Sequence, residues 1–131
     1  MSRNEPTASV ESVAAAATAA QAISDKKGVD IAILDLSGLL VVVDVFVIAS
    51  GTSTRHVKSL VDDVEEALRI GDRKPIRREG KDHGQWVLLD YGDLVVHLFD
   101  AETRTYYDLE RLWADAPRIE VPLMAATPDG E

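Results

Sequence analysis

Residues 86–99 read Trp-Val-Leu-Leu-Asp-Tyr-Gly-Asp-Leu-Val-Val-His-Leu-Phe, and this stretch decides the fold. Two apolar arms, partly β-branched, flank residues 90–93, whose Asp-Tyr-Gly-Asp sequence is typical of a turn. The pattern therefore predicts a β-hairpin. Both faces of each arm are mostly apolar, so we expect the hairpin to lie inside a sheet and to be covered on both sides.

Length and charge limit the classes of function. The chain has 131 residues, which suits one domain with its own core. Its net charge of −9, from 23 acidic and 14 basic residues, argues against binding nucleic acid by neutralising phosphates. The same charge suits a basic protein partner, or serves solubility alone.

The sequence also bears on compartment. It contains no cysteine, which excludes disulfides and thiolate metal sites and fits a reducing environment. Residues 1–7 lack the apolar core of a signal peptide. The most apolar run, residues 39–49, is interrupted by Asp44 and is shorter than the roughly 20 residues of a membrane span. We expect a soluble, cytoplasmic protein without membrane contact.

Three regions follow from the distribution of apolar residues. Residues 1–8 are polar and are expected to be disordered, residues 9–116 form one domain, and residues 117–131 form an irregular tail. The domain begins with a helix predicted over residues 9–27, capped by Ser9. Its expected packing face consists of apolar residues at helical spacing: Val10, Val13, Ala14, Ala17, Ala20 and Ile23.

The remaining elements alternate between strands and helices. Before the hairpin, strands are predicted over residues 31–34, 45–50 and 76–79, the last at a sheet edge because it is charged. Thr52 or Ser53 caps a second helix, whose apolar face is formed by Val57, Leu60, Val61, Val64 and Leu68. After the hairpin, Asp100 caps a turn, and a last short helix carries Leu109, Leu112 and Trp113. This order predicts an α+β (mixed α/β) fold with a single five-stranded mixed sheet and flanking helices.

Candidate catalytic and cofactor sites are weak. The strand-to-helix turn at residues 50–54, Ser-Gly-Thr-Ser-Thr, has the residue types of a phosphate cradle, but it lacks the glycines and lysine of a Walker loop. Helix capping explains these residue types better. No carboxylate pair converges, and His56, His83 and His97 have no metal-ligand spacing. We therefore expect no metal, no cofactor and no catalysis.

The aromatic residues are more informative, because Trp and Tyr dominate protein interfaces. They cluster late in the chain: Trp86, Tyr91, Tyr106, Tyr107 and Trp113. Trp113 lies on a predicted helix with Leu109 and is expected in the core. For Trp86 both interface and core remain open. Tyr91 is expected to be exposed for contact, because it lies at the hairpin tip.

Several segments, in this order, resemble one known family. They are residues 35–38, 44–53, 55–57, 79–80, 86–97 and 107–113, which include Trp-x-x-x-Asp-x-Gly-Asp-x-x-x-His and Tyr-x-Leu-Glu-x-Leu-Trp. Together they resemble the ribosomal silencing factor (Iojap-related) family over residues 10–116. The tail from residue 117 lies beyond this similarity.

The resemblance implies a fold related to the nucleotidyltransferases, without their catalytic residues. It also implies a translational repressor that binds the fourteenth protein of the large ribosomal subunit, blocks joining of the small subunit and lowers translation when nutrients are limiting. Carried over by position, the contact residues are Trp86, Asp90, Tyr91, Asp93 and Tyr107.

Two alternatives remain at this point. One is a nucleotidyltransferase-like, nucleotide-binding enzyme that uses the turn at residues 50–54. The other is a homodimer formed through the hairpin aromatics when the protein is free.

Overall fold

The computed structural model describes residues 7–124, so the expectations for residues 1–6 and 125–131 lie outside the described part of the chain. Ser9 caps the first helix and Ser53 the second, each accepting a backbone N–H three residues on. The elements in chain order are α1 Val10–Asp25, β1 Val29–Asp35, β2 Val45–Gly51, α2 Thr54–Ile70, β3 Arg77–Glu79, β4 Trp86–Asp90, β5 Leu94–Asp100, α3 Ala101–Tyr107 and α4 Leu109–Leu112.

The strands form one sheet in the order β1-β2-β5-β4-β3. β2 and β5 run parallel at its centre, and the other neighbours are antiparallel. This confirms the predicted α+β fold with a single mixed sheet of five strands, and it places β3 at an edge, as its charges indicated. None of the helices within residues 7–124 is long and apolar enough to cross a bilayer.

Helices α1 and α2 cover one face of the sheet, which we call the helix face. The α2 residues predicted to pack are buried there against inward-facing residues of β2, β4 and β5. The packing face predicted for α1 is partly wrong, since Val10 is 82% exposed and Ala14 is also exposed. The residues that α1 does bury are Ser12, Ala15, Ala16, Ala19, Ala20 and Ile23.

The opposite face of the sheet, which we call the second face, has a smaller apolar cluster. Its buried members include Phe46, Ile48 and Phe99, and α4 contributes Leu109. The predicted turn after Asp100 is wrong, because residues 101–107 form helix α3. Asp100 does cap this helix, accepting a hydrogen bond from the backbone N–H of Thr103.

The two strands of the hairpin, β4 and β5, are buried to different extents. Six of the seven residues of β5 are buried, as predicted for a central strand. In β4, Val87 and Leu89 are buried on the helix face, whereas Trp86, Leu88 and Asp90 are only half-buried on the second face. The expectation that both arms are covered on both sides is therefore wrong for β4.

Both terminal segments pack against β1 where the structure describes them. Ala8, within the segment expected to be disordered, donates its backbone N–H to Asp35 over 2.9 Å. Asp35 donates its own N–H to Pro117 O, and Ile119 N donates to Ile33 O, both over 2.8 Å. The beginning of the expected irregular tail therefore pairs with the outer edge of β1 and protects that edge.

Candidate functional site

The second face of β4 is the part of the sheet that the helices leave open. Successive strand residues point to opposite faces, so Trp86, Leu88 and Asp90 share this face along about 13 Å of strand. Trp113, expected in the core, is half-buried and packs against Phe46 with ring centroids 6.1 Å apart, farther from this edge. The result is an aromatic and apolar strip that ends in a carboxylate.

Trp86 is held at one end of this strip. Its ring stacks on Phe99 with centroids 4.9 Å apart and lies 4.7 Å from the ring of Tyr107. Its indole Nε1 donates a hydrogen bond to His97 Nδ1 over 3.1 Å. Interface and core are thus not exclusive for Trp86, because its ring packs against Phe99 and Tyr107 while the residue stays only half-buried.

His97 lies directly behind Trp86 on the second face and is buried. Burial in apolar surroundings lowers the pKa of His97 to about 4, so its imidazole is neutral near pH 7. Because Nδ1 accepts from Trp86, the proton is on Nε2. Within residues 7–124, Nε2 has no hydrogen-bond partner.

Tyr107 completes the aromatic end of the site and is 50% exposed. It is the last residue of α3, which ends at Asp108 in a left-handed conformation with φ of 48°. Arg104 anchors this helix through Ser50 Oγ, over 3.0 Å, and both carboxylate oxygens of Glu110. Tyr106, 81% exposed, packs edge-on against Tyr107.

Asp90 lies at the other end of the strip. One carboxylate oxygen accepts the backbone N–H of Gly92 over 2.8 Å, as is usual for an aspartate that begins a turn. The other oxygen lies 3.6 Å from the guanidinium of Arg77 on the edge strand. About a quarter of the side chain is exposed, so Asp90 can still meet a partner.

Tyr91 does not lie at an exposed tip, and that expectation is wrong. The residue continues the alternation of β4, so it points to the helix face and is only 8% exposed. Burial raises the pKa of Tyr91 to about 12, and the nearby Glu65 contributes to the rise. Its hydroxyl has no hydrogen-bond partner in the part of the chain that the structure describes.

Asp93 is held by contacts within the molecule, although about a third of its side chain remains exposed. Arg73 donates to both of its carboxylate oxygens, over 2.9 and 3.1 Å, and Ser12 Oγ donates over 2.6 Å. These bonds hold the pKa of Asp93 below its ordinary value. The expected set of five contact residues is therefore divided, with Trp86, Asp90 and Tyr107 on the second face and Tyr91 and Asp93 behind it.

The turn at residues 50–54 uses its polar groups for the fold. Ser53 Oγ accepts the N–H of His56 over 3.0 Å, which confirms the capping interpretation. The N–H of Thr52, which a phosphate would need, donates to His56 Nδ1 over 2.9 Å. The other ring nitrogen of His56 then donates to Lys26 O.

A cleft of about 550 Å³ lies nearby, beyond the carboxyl ends of the parallel strands β2 and β5. Its walls are charged, but Arg104 and Arg118 both pair with Glu110 across it. No group of three His, Asp or Glu side chains within residues 7–124 is arranged to hold a metal ion.

A family model described as "Ribosomal silencing factor during starvation" matches residues 9–130, beyond the limit of 116 set by the sequence motifs. The ribosomal silencing factor of Bacillus subtilis is 40% identical over 103 residues, which is 79% of this chain and 87% of that protein. A mouse protein named for mitochondrial assembly of the ribosomal large subunit is 38% identical over 87 residues, 64% of this chain and 38% of its own.

A solved structure shows the same fold. The crystal structure of a Chromobacterium violaceum protein superposes with a TM-score of 0.77 at 35% identity, covering 92% of this chain and 98% of that one. The resemblance inferred from the motifs is thus confirmed by sequence and by structure. The chain belongs to the ribosomal silencing factor family.

Proposed function

We propose that this protein binds the large ribosomal subunit through its fourteenth protein, with the second face of β4 as the docking surface. The observation that carries the proposal is the half-open strip in which the tilted rings of Trp86 and Tyr107 pack 4.7 Å apart, on the face that Leu88 shares. Aromatic side chains that are already packed on one side lose little rotamer freedom on binding, which suits them to the centre of an interface. Membership of the silencing family supports the choice of a ribosomal partner.

The carboxylate of Asp90 makes one end of the strip negatively charged, so the two ends differ. Ribosomal proteins are mostly basic, and a carboxylate at one end of an apolar strip fixes the orientation of a basic partner. Tyr91 and Asp93 support the hairpin from the helix face and do not touch the partner. The contact set of the proposal is therefore Trp86, Leu88, Asp90 and Tyr107.

The bound protein acts by occupancy and transforms no substrate. It covers a surface that the small subunit needs, so cytoplasmic translation falls with the occupied fraction of large subunits when nutrients are limiting. That fraction depends only on the protein concentration relative to Kd.

Co-sedimentation with purified large subunits tests the docking surface. Trp86→Ala and Tyr107→Ala should each weaken binding about 30-fold or more, as loss of an aromatic hot spot does. The matched control is Ile70→Ala, which also removes an exposed apolar side chain but lies at the end of α2 on the helix face, 79% exposed. Equal binding by all three variants would contradict the proposed surface.

A second measurement tests the mechanism. Light scattering follows the joining of large and small subunits, and the wild-type protein should slow or prevent the rise in signal. Variants that bind normally but leave subunit joining unchanged would show that docking occurs without obstruction.

A further inference from the structure

We propose that His97 is a positioning residue, which fixes the indole of Trp86 in the orientation that docks. The inference rests on the proposed function for the docking step. Its first part, that His97 sets the orientation of Trp86, stands on the contacts within the chain.

Sheet register brings the two side chains together. Leu88 lies directly opposite His97, and Phe99 lies opposite Trp86, so Trp86 and His97 form a diagonal pair on the second face. Long side chains at such diagonal positions reach each other. Here the contact is a hydrogen bond of 3.1 Å from the indole nitrogen to the imidazole.

The direction of this bond determines what Trp86 presents to a partner. The indole nitrogen is the only polar atom of the side chain, and it points inward to His97. A half-exposed tryptophan can instead turn its N–H to water. With the nitrogen turned inward, the exposed part of the ring is carbon, which fits an apolar pocket without leaving a donor unpaired.

A purely structural role does not account for a histidine at this position. Its neighbours on the same face of β5 are Val95 and Phe99, and it is 4% exposed. Its Nε2–H has no acceptor within residues 7–124, and a buried donor without a partner destabilises the fold. An apolar residue would avoid this cost but would leave the indole nitrogen without its acceptor.

The neutral imidazole is the form that accepts the bond. A proton on Nδ1 would oppose the indole N–H and would place a charge beside Phe46, whose ring centroid is 4.5 Å away. The low pKa of His97 keeps that form populated throughout the physiological range. The acceptor is thus always available to Trp86.

Two substitutions of His97 distinguish its role as a hydrogen-bond acceptor from its role in packing. His97→Asn keeps an oxygen close to the place of Nδ1, whereas His97→Phe fills the space and removes the acceptor. We expect His97→Phe to weaken binding to large subunits about tenfold, the effect of one lost hydrogen bond, and His97→Asn to restore most of the affinity. In a Trp86→Phe background the two His97 variants should bind alike, because no indole N–H remains to be oriented.

Spectroscopy on the free protein gives a readout that does not depend on the ribosome. In ¹⁵N-labelled protein, the Trp86 indole N–H resonance, assigned by its loss in Trp86→Phe, should move upfield in His97→Phe. The imidazole ¹⁵N shifts of His97 should show Nδ1 unprotonated and Nε2 protonated. The Trp113 indole resonance is the internal control and should stay in place.

The possible failures are distinguishable. An unchanged Trp86 resonance in His97→Phe, or a proton on Nδ1 in the wild-type protein, would overturn the positioning role whatever the binding results. If Trp86→Ala still binds large subunits normally, the docking surface is wrong, and the docking part of this inference is overturned with it. Should His97→Phe fail to fold, the tautomer of the wild-type imidazole and the affinity of His97→Asn decide the question.

Discussion

Successive residues of strand β4 point to opposite faces of the sheet and therefore have different roles. Trp86, Leu88 and Asp90 face the open side, while Val87 and Leu89 face the helices. Tyr91 continues the second series, and its N–H bonds Leu94 O over 2.8 Å. The alternation was visible in the sequence, but the turn residues around Tyr91 favoured an exposed tip instead.

Tyr91→Phe tests the buried position of this side chain. The variant removes a hydroxyl that is buried without a partner, so its free energy of unfolding should stay the same or rise by up to about 1 kcal/mol. Binding to large subunits should not change, because the ring lies on the helix face. Urea unfolding and co-sedimentation measure the two quantities.

Tyr91→Ala is the contrasting variant. It leaves a cavity in the core and should lower the free energy of unfolding by about 3 kcal/mol or more. A Tyr91→Phe protein that folds normally but loses the ribosome would show that the hydroxyl meets a partner after all.

At the scale of elements, helices α1, α2 and α3 differ in how well the spacing of apolar residues predicts them and their buried faces. The alanines of α1 lie on several sides of the helix, so their spacing does not distinguish the buried Ala15 and Ala16 from the exposed Ala14. Helix α3 has no buried residue, and therefore no apolar periodicity could indicate it. Helix α2, with large apolar residues on one side only, was predicted with its correct face.

The junction between α1 and the hairpin depends on the carboxylate of Asp93. Arg73 and Ser12 both donate to it, which ties the end of the hairpin to α1 and to the segment after α2. We expect Asp93→Asn to lower the free energy of unfolding by about 1–2 kcal/mol at pH 7, since the group is partly exposed. Chemical unfolding of both proteins across pH measures the difference.

The sign of the pH dependence follows from the lowered pKa of Asp93. Its folded value lies below the ordinary 3.8, so the stabilisation is complete above about that pH and is lost as the pH falls through the folded value. The gap between wild type and Asp93→Asn should therefore be constant near neutrality and shrink below about pH 4. Glu66→Gln, which breaks a solvent-exposed pair with Arg69, is the control and should leave stability unchanged.

At the scale of the whole molecule, the sequence established the sheet but only part of the site. Strand positions, the edge position of β3 and the cap at Ser9 followed from local patterns. The second cap was predicted as Thr52 or Ser53, and the structure shows that it is Ser53. The open face of β4 did not, because it depends on how far α3 and α4 extend over the sheet. The contact between the rings of Trp86 and Tyr107 joins residues 21 positions apart, and no local pattern encodes such a contact.

The net charge of −9 leads to a last prediction, on the salt dependence of association. An acidic protein is attracted by an isolated basic ribosomal protein, but it is repelled over long range by the RNA phosphates of an intact subunit. Raising NaCl from about 50 to about 300 mM should therefore slow association with the isolated fourteenth protein several-fold. With the intact large subunit, the same change should leave the association rate constant or increase it. Stopped-flow fluorescence of the labelled protein measures both rates. A parallel slowing with the intact subunit would show that the RNA phosphates do not repel the protein on its approach, contrary to this prediction.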